Sequence, residues 1–145
     1  LRPKTRYKAP VTLNVRRKMK TDGAAIVWDR ACLADPTQLA LPGDKALASM
    51  LLMHGLVMNG GLHHAVDFLS DAELDAAVSG FKYFGLNTVL DVIEKILSDP
   101  SLKQWNDANE RIANKLYYAV SPDDELLVAA FDERYANSPQ DFAPV

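Results

Sequence analysis

The sequence predicts an all-α, single-domain helical bundle of about six to seven helices around a central apolar helix. Three observations predict it. Residues 46–58 are apolar on nearly every side, with Ser49, His54 and Gly55 the exceptions, and a helix apolar all round belongs inside a ring of others. Apolar stripes spaced by three and four recur after it. Turn and capping signals separate those stripes at short intervals, and no internal repeat is present.

Taken in order, Val11, Leu13 and Val15 alternate with polar residues, which predicts one short strand. Residues 23–32 read as a first helix, with Ile26, Val27 and Trp28 as its apolar content. Pro36 and the Leu41-Pro42-Gly43-Asp44 turn interrupt the chain before the central helix. That helix meets Asn59-Gly60-Gly61, and a glycine in a helix interior costs about 1 kcal/mol relative to alanine. The triplet therefore reads as a turn, with a second apolar helix over residues 62–69. Ser70-Asp71-Ala72-Glu73 fits a capping box. The helix it opens buries Leu74, Val78 and Phe81 and ends near Gly85 as a C-cap. Asn87 is expected to cap the next helix, whose stripe is Val89, Leu90, Ile93, Ile96 and Leu97. Trp105, Ala108, Ile112, Leu116 and Val120 form the clearest amphipathic stripe and are expected in the core. Ser121-Pro122 reads as an N-cap with proline at the first helical position. Leu126, Leu127, Ala130 and Phe131 line the last helix.

A chain of 145 residues with 48% apolar content is one globular domain. Cys32 is the single cysteine, which excludes an internal disulfide. No apolar run reaches the roughly 18 to 20 residues of a membrane span. The start carries basic residues but no apolar signal core, so the expected location is the cytoplasm. The net charge of −3 conceals a division: residues 1–20 hold eight Lys and Arg and no acid. The remaining eight basic residues stand against all 19 acids, a balance of −11. We divide the chain into a basic, partly extended N-terminal arm at residues 1–20, a helical domain at 21–137 and a C-terminal tail at 138–145. A basic arm is one route to nucleic-acid binding, the other being to lie on the acidic body.

Asn59, Gly60 and Gly61 tolerate positive φ, so their first reading is a structural joint between core helices. The functional alternative is a groove left by small residues. His54, His63 and His64 flank the joint, and Asp67 follows His63 by four on the same helix face. A His/His/Asp set binds zinc or a related metal, which makes a metal-dependent enzyme the alternative function. The spacing matches no established metal motif, and adjacent His63 and His64 point about 100° apart on a helix. Nothing beside Cys32 marks an activated thiolate. Gly60-Gly61 lacks the following Lys-Ser/Thr of a phosphate loop. No catalytic residue and no cofactor are expected.

Leu41-Pro42, an apolar helix, Asn59-Gly60-Gly61, a short helix around Ala65 to Phe68, residues 77–85 and the helix from Asn87 follow one another in a particular order. This order resembles the bacterial all-helical DNA-mimic protein family over roughly residues 40–97. The resemblance implies a dimeric, non-enzymatic protein whose acidic surface occupies the DNA-binding face of a transcriptional regulator. Carboxylates three or four apart on a helix are about 5 to 6 Å apart at Cβ, comparable to phosphates along a strand. Asp71/Asp75, Asp91/Glu94 and Asp107/Glu110 have that relation, and Asp123, Asp124 and Glu125 add charge. The plainer reading is solvated helix faces, with Asp91–Lys95 and Asp107–Arg111 as ordinary i,i+4 ion pairs.

Overall fold

The computed structural model describes residues 19–145. The expected strand at Val11, Leu13 and Val15, and nearly all of the basic arm, lie outside the described residues. Among the described residues every regular element is helical. Eight α-helices run in chain order: α1 (Asp22–Leu33), α2 (Pro42–Gly60), α3 (Leu62–Phe68), α4 (Asp71–Tyr83), α5 (Asn87–Ser98), α6 (Pro100–Lys103), α7 (Asp107–Val120) and α8 (Glu125–Asn137). Short 3-10 turns stand at Pro36–Gln38 and Pro139–Asp141. The short α6, read from the sequence as a helix end, raises the number above six or seven.

Local chemistry sets most boundaries. Thr21 accepts the Ala24 N–H at the start of α1, and Pro42 stands in the first turn of α2. The expected capping box forms at α4: Ser70 Oγ accepts from Glu73 N at 3.2 Å, and Glu73 Oε1 accepts from Ser70 N at 3.1 Å. Gly85 follows α4 with φ 68°, as expected of a C-cap glycine. Two expected caps fail. Leu86, not Asn87, precedes α5, with no side-chain cap. The last helix begins at Glu125 rather than after Ser121-Pro122, because Asp123 Oδ1 takes the Glu125 N–H at 2.9 Å and the turn continues.

α2 lies at the centre, buried along almost its whole length from Gly43 to Val57. Its largest contact is with α4. Gly80 makes that approach possible: a Cβ there would stand 2.5 Å from the Ala46 carbonyl oxygen. Leu47, Met50, Met53 and Leu56 of α2 meet a core that includes Phe81, Ile93, Tyr117 and Phe131.

The stripe expected to bury α7 turns out differently. Leu116 and Val120 of that stripe pack half-buried against the core, but Trp105 is 42% and Ile112 43% exposed, and Ala108 is exposed too. The buried residues are Asn109, Ala113 and Tyr117. Asn109 is admitted to the interior because its Nδ2 donates to the Ser101 and Gln104 carbonyls at 2.8 Å each. On α8, Leu127, Val128 and Phe131 are buried, whereas Leu126 is 36% exposed.

Residues 138–145, read from the sequence as a tail, pack on the body. Phe142 is buried, its ring edge-on to Phe131 and Tyr135. Arg30 Nη2 donates to Asp44 Oδ1 at 3.0 Å and to the Ala143 carbonyl at 2.9 Å. Asp44 Oδ2 accepts the Ala143 N–H at 2.8 Å. An Arg–Asp pair thus clasps residues 143–144 onto the end of α1 and the start of α2.

Candidate functional site

α2 ends by closing on itself at the glycines. Gly61 N–H donates to the Val57 carbonyl at 2.7 Å, and Gly61 takes φ 94° and ψ 171°, a region essentially reserved for glycine. α3 begins at once. Its first free N–H, on Leu62, donates to Asn114 Oδ1 of α7 at 3.0 Å. That amide sits where a Gly61 Cβ would be, 2.7 Å away, and a Gly60 Cβ would meet the His64 ring at 2.6 Å. Asn59 is exposed. The triplet is a joint; Asn114 of α7 fills the room at Gly61 and His64 of α3 the room at Gly60.

α7 also holds the centre of α2. Tyr118 Oη donates to the Val57 carbonyl at 3.0 Å. Tyr117 Oη lies 2.7 Å from His54 Nδ1, and His54 Nε2 lies 3.0 Å from Asp124 Oδ1. An ionised carboxylate only accepts, so Nε2 carries the hydrogen; in the neutral ring Nδ1 then accepts from Tyr117. Burial, with the Tyr118 and Asp124 charges secondary, pushes the Tyr117 hydroxyl well above its usual range, so it remains a donor at neutral pH. Asn114, Tyr117 and Tyr118 were not singled out from the sequence. An asparagine inside an amphipathic helix is the one local signal that pointed to them.

The histidine–aspartate set proposed as a metal site is not assembled. His54 is committed to Tyr117 and Asp124, and His63 Nε2 donates to the Leu102 carbonyl at 2.8 Å. His64 faces Phe68, and Asp67 is exposed. No group of three or more His, Cys, Asp or Glu among the described residues is placed to hold a metal ion. The glycine joint turns the chain so that each ring finds its own partner. Burial first, and the Asp124 charge second, push the Cys32 thiol up to about 12, which leaves it a poor nucleophile at neutral pH.

The carboxylates divide by what their own chain asks of them. Asp71, Asp107, Glu110 and Glu125 stand in first helical turns, where negative charge complements free N–H groups. Asp123 accepts the Glu125 N–H in the turn that leads into α8, and Asp124 holds His54. Asp75 on α4 and Asp91 and Glu94 on α5 are exposed; these three acids have no such local task. The expected Asp91–Lys95 and Asp107–Arg111 ion pairs do not close among the described residues, where Arg30–Asp44 is an ion pair and His54–Asp124 a hydrogen bond. α4 packs on α5, and α5 on α7, so the acid-bearing helices are neighbours. No helix among the described residues is long and apolar enough to cross a membrane.

No curated protein and no solved structure matches this chain. The family described as DMP19-like protein matches residues 39–143, from just before α2 to the clasped C-terminal segment. The match takes in the glycine joint, the acid-bearing helices and α7, and so runs well past the residue 97 at which the sequence resemblance stops. Such membership supports a non-enzymatic, protein-binding role. The chain belongs to the DMP19-like protein family.

Proposed function

We propose that the protein is an acidic DNA mimic that binds the DNA-binding face of a basic bacterial regulator. Asp75, Asp91 and Glu94 form the centre of the contact, with Asp71, Asp107, Glu110, Asp123 and Glu125 around them. One observation carries this reading: on the adjacent helices α4 and α5, three exposed carboxylates have neither a capping task nor an ion pair among the described residues. Their charge is available to a partner. Protein that recognises DNA does so largely by neutralising phosphates, and that affinity falls steeply with salt. Carboxylates three apart on α5 offer an acceptor spacing of the same order. The family assignment agrees with the reading, as does the −11 balance beyond residue 20.

Immobilised protein, exposed to a panel of purified bacterial helix-turn-helix regulators, tests it. The expected result is capture of a regulator that duplex DNA displaces and that is lost as salt rises from about 50 to 200 mM. The combined Asp75→Asn, Asp91→Asn and Glu94→Gln protein is expected to lose that capture. Binding indifferent to salt and to DNA would overturn the proposal.

A further inference from the structure

α7 has a second exposed surface that the acidic face does not use. At about 100° per residue, Ile112, Ala119 and Ala108 fall side by side on one flank of the helix. Trp105, in the turn entering α7, precedes Ala108 by three and Ile112 by seven, so the apolar line runs on past the helix start. Trp105 and Ile112 are among the few large apolar side chains exposed in the described residues. The next positions around the helix are Lys115 and Arg111, both exposed. Asp107, Asn114 and Glu110 come only after them, on the side that faces the glycine joint.

The two cations are i,i+4 neighbours of like charge, an arrangement that disfavours the helix. Neither forms an ion pair with a described residue, and exposed Lys103, at the end of α6, likewise has none. Elsewhere on the body, Arg30 holds the C-terminal segment and Arg134 stacks over Tyr83, while exposed Lys45, Lys82 and Lys95 also lack an ion pair with a described residue. What sets Arg111 and Lys115 apart is the exposed apolar line beside them. An apolar strip bordered by unneutralised cations is thus set beside the acid-bearing faces of an otherwise acidic body.

We propose that this flank of α7 docks an acidic amphipathic helix of another protein, its apolar side on Trp105, Ala108 and Ile112 and its carboxylates on Arg111, Lys115 and Lys103. Charge complementarity selects this occupant. A basic helix would meet like charge along the whole strip. A single-stranded nucleic acid would need further aromatic platforms, and Trp105 is the flank's one aromatic ring. The solvent-exposed indole is the anchor type found at the centre of protein interfaces. This surface is separate from the α4–α5 acids, so either proposal can fail without the other.

The intact protein carries its own reporter. Trp28 is buried, so a ligand that shifts indole emission acts on Trp105. The probe is a synthetic helical peptide with leucines at i, i+3, i+4 and i+7 and glutamates on both borders. It is expected to shift Trp105 emission to the blue, saturably, with a micromolar Kd that weakens as salt rises. Charge reversal by Arg111→Glu with Lys115→Glu, and separately Ile112→Asp, is expected to weaken binding at least about tenfold while circular dichroism stays unchanged. Four results would overturn the proposal: an equal response to the lysine version of the peptide, an equal response to a scrambled sequence, a response to anionic lipid vesicles but not to the peptide, or a wild-type dimer that Ile112→Asp converts to monomer in sedimentation.

Discussion

The joint between α2 and α3 and the outer faces of α4 and α5 are both rich in polar atoms, and they dispose of them in opposite ways. At the joint, the Gly61 and Leu62 N–H groups, the Val57 carbonyl and both His54 nitrogens end on groups of the chain itself. On the outer faces Asp75, Asp91 and Glu94 answer to nothing in the described body. The difference follows from burial. A buried polar group left unpaired costs about 1 to 3 kcal/mol, so the interior joint is closed nearly throughout, with His63 Nδ1 the one buried ring nitrogen there left without a partner. A solvated carboxylate has water, and stays open to a partner until one arrives. What separates a scaffold from a binding surface here is not the number of polar groups but how many remain uncommitted.

The sharpest way to break this contrast is Gly61→Ala. It forces a side chain into a glycine-only backbone conformation and against Asn114, and is expected to cost about 3 kcal/mol in denaturant unfolding. An unchanged midpoint would remove the joint from the scaffold. Tyr117→Phe comes next. It strands His54 Nδ1 in the core and is expected to cost about 1 to 2 kcal/mol by the same measurement. A neutral result would say that the histidine does not need closing. The combined Asp75→Asn, Asp91→Asn and Glu94→Gln change should shift stability by no more than about 0.5 kcal/mol. A larger loss would assign those acids to the fold.

Asp132 sharpens the comparison from the inside, since it is a buried acid held by one Lys20 N–H at 3.3 Å. Burial raises its pKa in the fold, and the Lys20 contact only partly opposes this. The folded pKa exceeds the unfolded one, so the group favours folding below the ordinary carboxylate range and loses that contribution as pH rises through the raised value. Asp132→Asn is therefore expected to gain a few tenths of a kcal/mol at pH 7, a gain that vanishes toward pH 3. Unfolding midpoints across that range decide it, and a gain that grows in acid would reverse the assignment.

Much of the fold was legible because its signals are local. Ser70 and Glu73 cap one another within a single turn, Gly85 takes its positive φ alone, and Val89, Leu90, Ile93 and Ile96 face inward by period. α7 was misread for the opposite reason. Its buried line of Asn109, Ala113 and Tyr117 carries polar groups whose partners stand elsewhere, 63 residues away for Tyr117 and His54. Periodicity scores such a line as surface and scores Trp105, Ala108 and Ile112 as core. The histidines misled by nearness in sequence: His54, His63 and His64 flank one turn, but each ring is answered by a different element. The candidate acids could be named from the sequence; which of them hold a cap or a histidine needed the fold.

The clasp of Arg30 and Asp44 on Ala143 has a topological consequence. It brings Val145 Cγ2 to within 3.4 Å of where a Gly23 Cβ would stand, so the two ends of the helical body are side by side. The path of the backbone is nearly a closed ring. A linker from 145 to 19, which keeps Met19 in the core and Lys20 on Asp132, would complete it, and new ends opened at Gly85, an exposed turn with open space where a Cβ would stand, would cut no helix. The architecture is therefore suited to circular permutation, and the order in which its helices are synthesised is separable from the shape they reach.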